Sequence, residues 1–337
     1  MEIQETTFYE ELQKSETLDL RDNRGKKHDL SFVLLGLTIG LLRKRDGCLS
    51  SLHRSMKNKN TSLCHFLSID IQPVISRSHL PILLSKVHLP TFEELLFDYY
   101  GIELLEDEKS WFSVDGKELR GSILKGDKRG EAIVTIVKQD TREVLNQDYY
   151  SGKKESEQPC VRSVLVKGKA TDEKITSDAL YLNPRTTALI HRANGRFIIG
   201  LKENQEELLE DMKMSCTYLK PQNQLFSTEK GHGRLEIRKY YQYDVSAEYF
   251  DSRWDKGVFK SLFKVVRTRE ELKTGKTSKE TSFYISNGSA SENEDKNYFH
   301  AIRNHWSVEV NNHIRDVTLK EDKLRTKKNS NQSVCYT

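Results

Sequence analysis

Paired cysteines are missing from this sequence. Cys48, Cys64, Cys160, Cys216 and Cys335 are scattered and odd in number. No C-x-x-C pair occurs among them, so neither a disulfide framework nor a cysteine zinc site is legible, and a reducing compartment fits best. Long apolar runs are also missing. The most apolar stretch, Leu30 to Leu42, falls short of the roughly 20 residues that a membrane-spanning helix needs, and it reads as a buried helix. The N-terminus is acidic and polar, without the features of a secretory leader. These absences predict a cytoplasmic protein with no membrane role. No internal repeat is visible, and no large excess of one charge sign. The formal net charge of +4 permits a nucleic-acid partner without demanding one.

What the sequence does contain is charge and length. Charged residues make up 31% of 337 residues and mean hydropathy is -0.68, values of a soluble chain with a modest core and room for two domains. The basic residues cluster. Six Lys or Arg against one acid lie between Arg43 and Lys59, and eight against four between Asp255 and Glu280. Such clusters suit a DNA backbone and equally suit a solvated face.

The pattern along the chain predicts a helical region over residues 1–105 and an α/β region over 106–337. A buried helix runs from Leu30 towards Met56 and ends in Arg43-Lys44-Arg45. A second pair of helices follows: one opened by Ser78 as N-cap with Pro81 in its first turn, one from Phe92 to Tyr100 closed by Gly101. This pair is either a helix-turn-helix or an ordinary hairpin. Strands are predicted at Trp111–Asp115, Ala132–Val137, Val144–Tyr150, Lys174–Asp178 and Arg196–Leu201. Helices are predicted at Cys160–Val166, from Asn183 to Ala193, and at Asn204–Met214. Three strands, helix, strand, helix, strand is the order of an RNase H-like mixed-sheet core. Residues from about 215 to 297 read as a β-rich insertion with strands near Leu235–Tyr240, Leu262–Arg267 and Ser282–Ile285. A helix from about Tyr298 to Val317 then closes the core.

Asp115 and Asp178 end the first and fourth predicted strands. If these strands are neighbours, the two carboxylates emerge side by side, and Glu309 on the last helix can cross the same edge. Three gathered carboxylates repel unless a cation neutralises them. All-oxygen ligation selects Mg²⁺ or Mn²⁺, and two such ions can drive an in-line phosphoryl displacement. Asp-Gly after a strand is also ordinary turn chemistry, so spacing alone leaves both readings open. His305, Glu309, Asn312, His313 and Asp316 form one polar stripe at helical period. That stripe suits a solvated face, a catalytic face, or a zinc site of His305, Glu309 and His313, although no H-E-x-x-H is present. Trp306 is expected in the core, with stacking on a DNA base as the lesser reading.

Five blocks in order resemble the H-repeat-associated transposases. Asp115-Gly116-Lys117-Glu118-Leu119-Arg120-Gly121-Ser122 is similar to their "DGKxLRGS", and Ile175-Thr176-Ser177-Asp178-Ala179-Leu180 to their second-aspartate block. Leu201-Lys202-Glu203-Asn204-Gln205 resembles "LKGNQ". Gly231-His232-Gly233-Arg234-Leu235-Glu236-Ile237-Arg238 resembles "GHGRxExR". Arg303-Asn304-His305-Trp306-Ser307-Val308-Glu309, with Asp316-Val317 and Glu321-Asp322, is similar to "R-x-HW-x-IE … DV … ED". The resemblance implies a DDE transposase of an insertion sequence, with an RNase H-like core, a β-rich insertion before the glutamate, and divalent-metal cleavage and joining of DNA. It implies Asp115, Asp178 and Glu309 as catalytic metal ligands for Mg²⁺ or Mn²⁺. Lys202, Arg234, Arg238, Arg303, His305 and His313 become candidates for DNA contact. The implied partners are double-stranded DNA at element ends and target, and a second copy in a homodimer on DNA, with nucleoid association when bound.

Three departures set this chain apart. Val310 follows Glu309 where the family usually has Asn. The step from Glu309 to Asp316 is one residue shorter, a rotation of about 100° on a helix. The sequence stops soon after Glu321-Asp322, where relatives continue. An inactive, truncated DNA-binding remnant and a nuclease without joining activity are therefore the competing expectations.

Overall fold

A computed structural model describes residues 6–43, 48–100, 110–123, 130–150, 154–245, 250–293, 296–318 and 320. It forms two compact units, one of residues 1–104, 117–132 and 311–337, the other of 105–116 and 133–310. Gly101, Lys44-Arg45 and Glu321-Asp322 lie outside the described residues. No described helix is long and apolar enough to cross a membrane.

The first unit is largely helical. Helix α1 (Phe8–Lys14) starts at a reciprocal cap, in which the Thr7 side chain accepts from the Glu10 N–H and Glu10 accepts from the Thr7 N–H. Helix α2 (Leu30–Arg43) buries Leu30, Val33, Leu34 and Leu37. Helix α3 (Leu49–Phe66) packs Leu52 and Met56 against it. The two approach so closely that a side chain at Gly36 would meet Met56 Cγ at 2.8 Å. The single helix expected from Leu30 towards Met56 is thus two. Helix α3 escaped notice because only Leu52, Met56, Asn60 and Cys64 along it are buried. Helices α4 (Leu80–Leu84) and α5 (Leu89–Tyr100) follow. The expected Ser78 cap is not used: His79 holds the cap position and its N–H donates to Ser76 Oγ. In the same unit the Lys117 ammonium pairs with Asp316 at 2.5 Å.

The second unit is built on a nine-stranded sheet of order β3-β2-β1-β4-β5-β9-β8-β7-β6. Its strands are β1 (Trp111–Glu118), β2 (Ala132–Lys138), β3 (Val144–Tyr150), β4 (Lys174–Ser177), β5 (Arg196–Leu201), β6 (Asn223–Gly231), β7 (Arg234–Asp244), β8 (Ser261–Glu271) and β9 (Thr277–Ser286). Strands β1, β4 and β5 are parallel, and β5 to β9 and onward is antiparallel. The fold is therefore α/β with a mixed sheet, as expected. Helices α6 (Lys154–Lys167), α7 (Pro184–Arg192) and α8 (Glu206–Tyr218) alternate with the parallel strands. Parallel neighbours need such crossovers.

The main core gathers Phe112, Val134, Val164, Ile175, Phe197 and Leu209, drawn from both strands and helices. The β-rich segment does not stand apart, since β9 pairs with β5 from Ile198↔Ser286 to Leu201↔Phe283 and makes the sheet continuous. Strand β6 was missed because none of its residues is fully buried, Phe226 is exposed, and it ends in Glu229-Lys230-Gly231. The last helix is also not continuous. Helix α9 (Asn297–Asn304) stops at His305, α10 (Trp306–His313) starts afresh, and a π turn, Ile314–Thr318, follows. Trp306, the first residue of α10, is 56% exposed, against the expectation of a core position.

Candidate active site

The register of β1 on β4 fixes the two aspartates. Val114 pairs with Ser177, so Asp115, inside β1, and Asp178, one residue past the end of β4, each follow the last paired residues of two adjacent parallel strands. Asp115 is surrounded by acid. Burial pushes its carboxyl up to about 7, and the negative charges of Asp178, Glu309 and Glu157 push the same way, against a hydrogen bond from the Gly116 N–H. Asp178 behaves oppositely. Burial raises it, but the Lys202 hydrogen bond, the Ala179 N–H and the Lys202 charge outweigh burial and hold it below the usual carboxylate range. Lys202 Nζ lies 2.8 Å from Asp178 Oδ1.

Glu157 is the acid that sequence reasoning missed. Tyr181 donates its hydroxyl to Glu157 Oε1 at 2.7 Å. Both groups rest on the backbone beside Asp115: a Cβ at Gly116 would meet Glu157 Oε1 at 2.6 Å and the Tyr181 hydroxyl at 2.8 Å. Burial and the nearby Glu157 and Asp115 charges drive the Tyr181 hydroxyl far above its ordinary range, so it stays a neutral donor. The glycine of Asp115-Gly116 lies inside β1 rather than in a turn, and a side chain there would displace the ends of Glu157 and Tyr181. Glu157 lay outside the predicted helix, which was placed from Cys160 onward, so no pattern pointed to it.

A buried polar network ties the glutamate's chain segment to the sheet. Thr176 Oγ1 lies 2.9 Å from His305 Nδ1, accepts from Gln139 Nε2 at 2.8 Å and donates to the Phe112 carbonyl. Gln139 also donates to the Ala301 carbonyl at 3.1 Å. Burial lowers the His305 imidazole to about 4, with Asp178 pulling weakly upward, so His305 is a neutral spacer between β4 and the start of α10. Glu309 is exposed, one turn beyond His305, and near enough to Asp115 for its charge to be felt there.

Glu309 also borders a cleft of about 620 Å³ on the face of β6–β9 beside α9. Four of the six candidate DNA contacts, Arg234, Arg238, Arg303 and His305, line it. Lys202 and His313 are not among the lining residues; Lys202 is held on Asp178 and His313 is exposed.

Among the described residues no three of His, Cys, Asp or Glu are placed to hold a metal ion. The zinc reading of His305, Glu309 and His313 thus has no geometry behind it, and His305 Nδ1 is already engaged by Thr176. The carboxylates share a neighbourhood without forming a coordination shell. Their chemistry nevertheless suits a hard cation. The donors are oxygens, Asp115 is destabilised by three other negative charges, and the cation resting on Asp178 is the displaceable ammonium of Lys202.

"Putative protein YbfL" of Escherichia coli K12 is 30% identical over 233 residues, 66% of this chain and 60% of that protein. "H repeat-associated putative transposase YhhI" of the same strain is 29% identical over 233 residues, with the same shares. The chain is related to the H-repeat-associated transposases. "Putative transposase YncI" of Escherichia coli O157:H7 is 26% identical over 249 residues, 70% of this chain and 63% of that protein. The chain spans about 60% of the length of the first two of these curated relatives. No family model matches it.

Proposed function

We propose that this chain is the catalytic part of an insertion-sequence transposase of the DDE type, acting on DNA through an RNase H-like core. The observation that carries this reading is the position of Asp115 on β1 and of Asp178 one residue past the end of β4, the strand beside it, with Glu309 close enough to perturb Asp115. Chain relatedness to proteins named as transposases supports the substrate class. Asp115, Asp178 and Glu309 would hold Mg²⁺ or Mn²⁺, which supplies the charge neutralisation that phosphoryl displacement on DNA requires. The chain's own contributions are distinct. Lys202 compensates Asp178 until a cation replaces it. The Thr176–His305 contact sets the height of α10 and thereby of Glu309. The arginines of the adjoining cleft attract and orient the phosphodiester backbone.

The test is nicking of supercoiled DNA and joining of a free 3′-hydroxyl end to target DNA. Wild-type chain should do both only with Mg²⁺ or Mn²⁺ present, and Asp178→Ala should do neither. Cleavage without joining would leave a nuclease. Cleavage by Asp178→Ala would end the assignment.

A further inference from the structure

The cleft beside Glu309 carries a charge pattern that its own stability does not explain. Strand β7 sends Glu236, Arg238 and Tyr240 to one face, as alternation requires. Across the ladder, Arg238 stands directly opposite Arg267 on β8, and Glu236 directly opposite Glu229 on β6. Like charges facing each other across strands destabilise a sheet. Here the conflict is resolved by neighbouring pairs: Arg238 with Glu236, Arg269 with Glu236 at 3.2 Å, Arg303 of α9 with Glu229 at 3.1 Å, and Arg267 with Glu280. The resolution is incomplete. Arg238 is only 8% exposed, with its Nη1 resting 3.2 Å from Glu229, and the buried Arg303 Nε has no hydrogen-bond partner. A buried guanidinium N–H left without an acceptor is costly, and a phosphate's fork of oxygens matches it.

The rim of the same cleft presents Trp306, the exposed one of three tryptophans, while Trp111 and Trp254 are buried. An aromatic face next to a cationic groove is the arrangement that binds unpaired nucleic acid, because only an unpaired base offers its π-face. The volume of about 620 Å³ is that of a small-ligand cleft, suited to one or two nucleotides rather than to a duplex.

We infer that this cleft binds a single-stranded DNA end, and that Glu229 and Glu236 occupy its arginines as phosphate surrogates until the strand displaces them. The inference rests on the reading that the chain acts on DNA. Its consequence is unusual in sign: removing an acidic charge that now forms ion pairs should strengthen ligand binding. Glu229, 51% exposed in its side chain and shared by Arg238 and Arg303, is the most accessible of these acids.

The experiment is anisotropy titration of a labelled single-stranded oligonucleotide and of the matching blunt duplex. It uses the full chain at low salt without divalent cation, and follows tryptophan fluorescence in parallel. Wild type should bind the single strand with quenching that Trp306→Phe removes. Glu229→Gln should tighten single-strand binding by about two- to fivefold, the scale of an exposed ion pair, and Arg303→Gln should weaken it. If Glu229→Gln loses its fold by circular dichroism, Glu280→Gln at the Arg267 pair replaces it with the same expectation. Unchanged or weaker binding by the folded Glu variant, or quenching that survives Trp306→Phe, overturns the inference. Should wild type bind duplex while none of these substitutions alters single-strand binding, the cleft assignment alone falls. Absence of any DNA binding by wild type removes the DNA reading beneath it.

Discussion

Asp115 and Gly116 together show how a two-residue signal can be shaped from the outside. The carboxyl is held up to about 7 by burial and by the charges of Asp178, Glu309 and Glu157, while an unfolded aspartate titrates near 3.9. Between those values the folded protein binds the extra proton, so this group's contribution makes stability fall as pH rises through the window, with the full penalty above about 7. In Asp115→Asn that slope should vanish, and melting temperatures recorded from about pH 4 to pH 8 should be flatter than those of wild type. An unchanged profile would mean that Asp115 does not carry the proton. Gly116→Ala should cost about 1–3 kcal/mol of stability by overpacking, because its methyl would enter the space of Glu157 Oε1 and the Tyr181 hydroxyl. Denaturant unfolding measures this, and a neutral result would show that the Glu157–Tyr181 pair is not seated there. The aspartates were legible as candidates because motif blocks single them out, although Asp115 lies inside β1 rather than at its end and Asp178 lies one residue past β4. Glu157 was not, since its place beside Gly116 is a tertiary contact between α6 and β1 residues far apart in sequence, which no local pattern encodes.

Elements were legible in proportion to their periodicity. Strands β1 to β5 and helices α7 and α8 follow from β-branched runs, a proline at N1 and an Asn183 cap whose side chain does accept from the Thr186 N–H. The break at His305 was not foreseen, because a stripe at helical period carries straight through it. The contacts around it are tertiary: His305 meets Thr176, and Gln139 shares the Ala301 carbonyl with the His305 N–H, relations that sequence spacing does not reveal. Thr176→Val removes the shared hydroxyl while keeping the shape. It should destabilise the chain by about 1–3 kcal/mol by leaving buried polar partners unsatisfied. It should also loosen α9 and the start of α10 more than β4. Hydrogen exchange would show faster opening of residues 297–310 than of 174–177, and uniform loosening would count against a local tether.

At the scale of the whole molecule, a formal charge of +4 understates the cationic character of one face, where arginines of β7, β8 and α9 converge beside the acids. DNA affinity should fall with salt, the slope of log K against log salt being about -0.9 per duplex phosphate neutralised. Carboxylate substitutions at the site should leave that slope nearly unchanged, since they remove no cation. Salt-independent binding would argue against backbone contact. The most direct test of a shared cation site is Mn²⁺ binding followed by electron paramagnetic resonance on the DNA-free chain and its variants. Wild type should bind Mn²⁺, and Asp115→Asn, Asp178→Asn and Glu309→Gln should each weaken it by at least about tenfold, as loss of one carboxylate ligand implies. Mn²⁺ affinity that is absent in wild type, or indifferent to all three substitutions, would contradict the assignment of these residues to one catalytic centre.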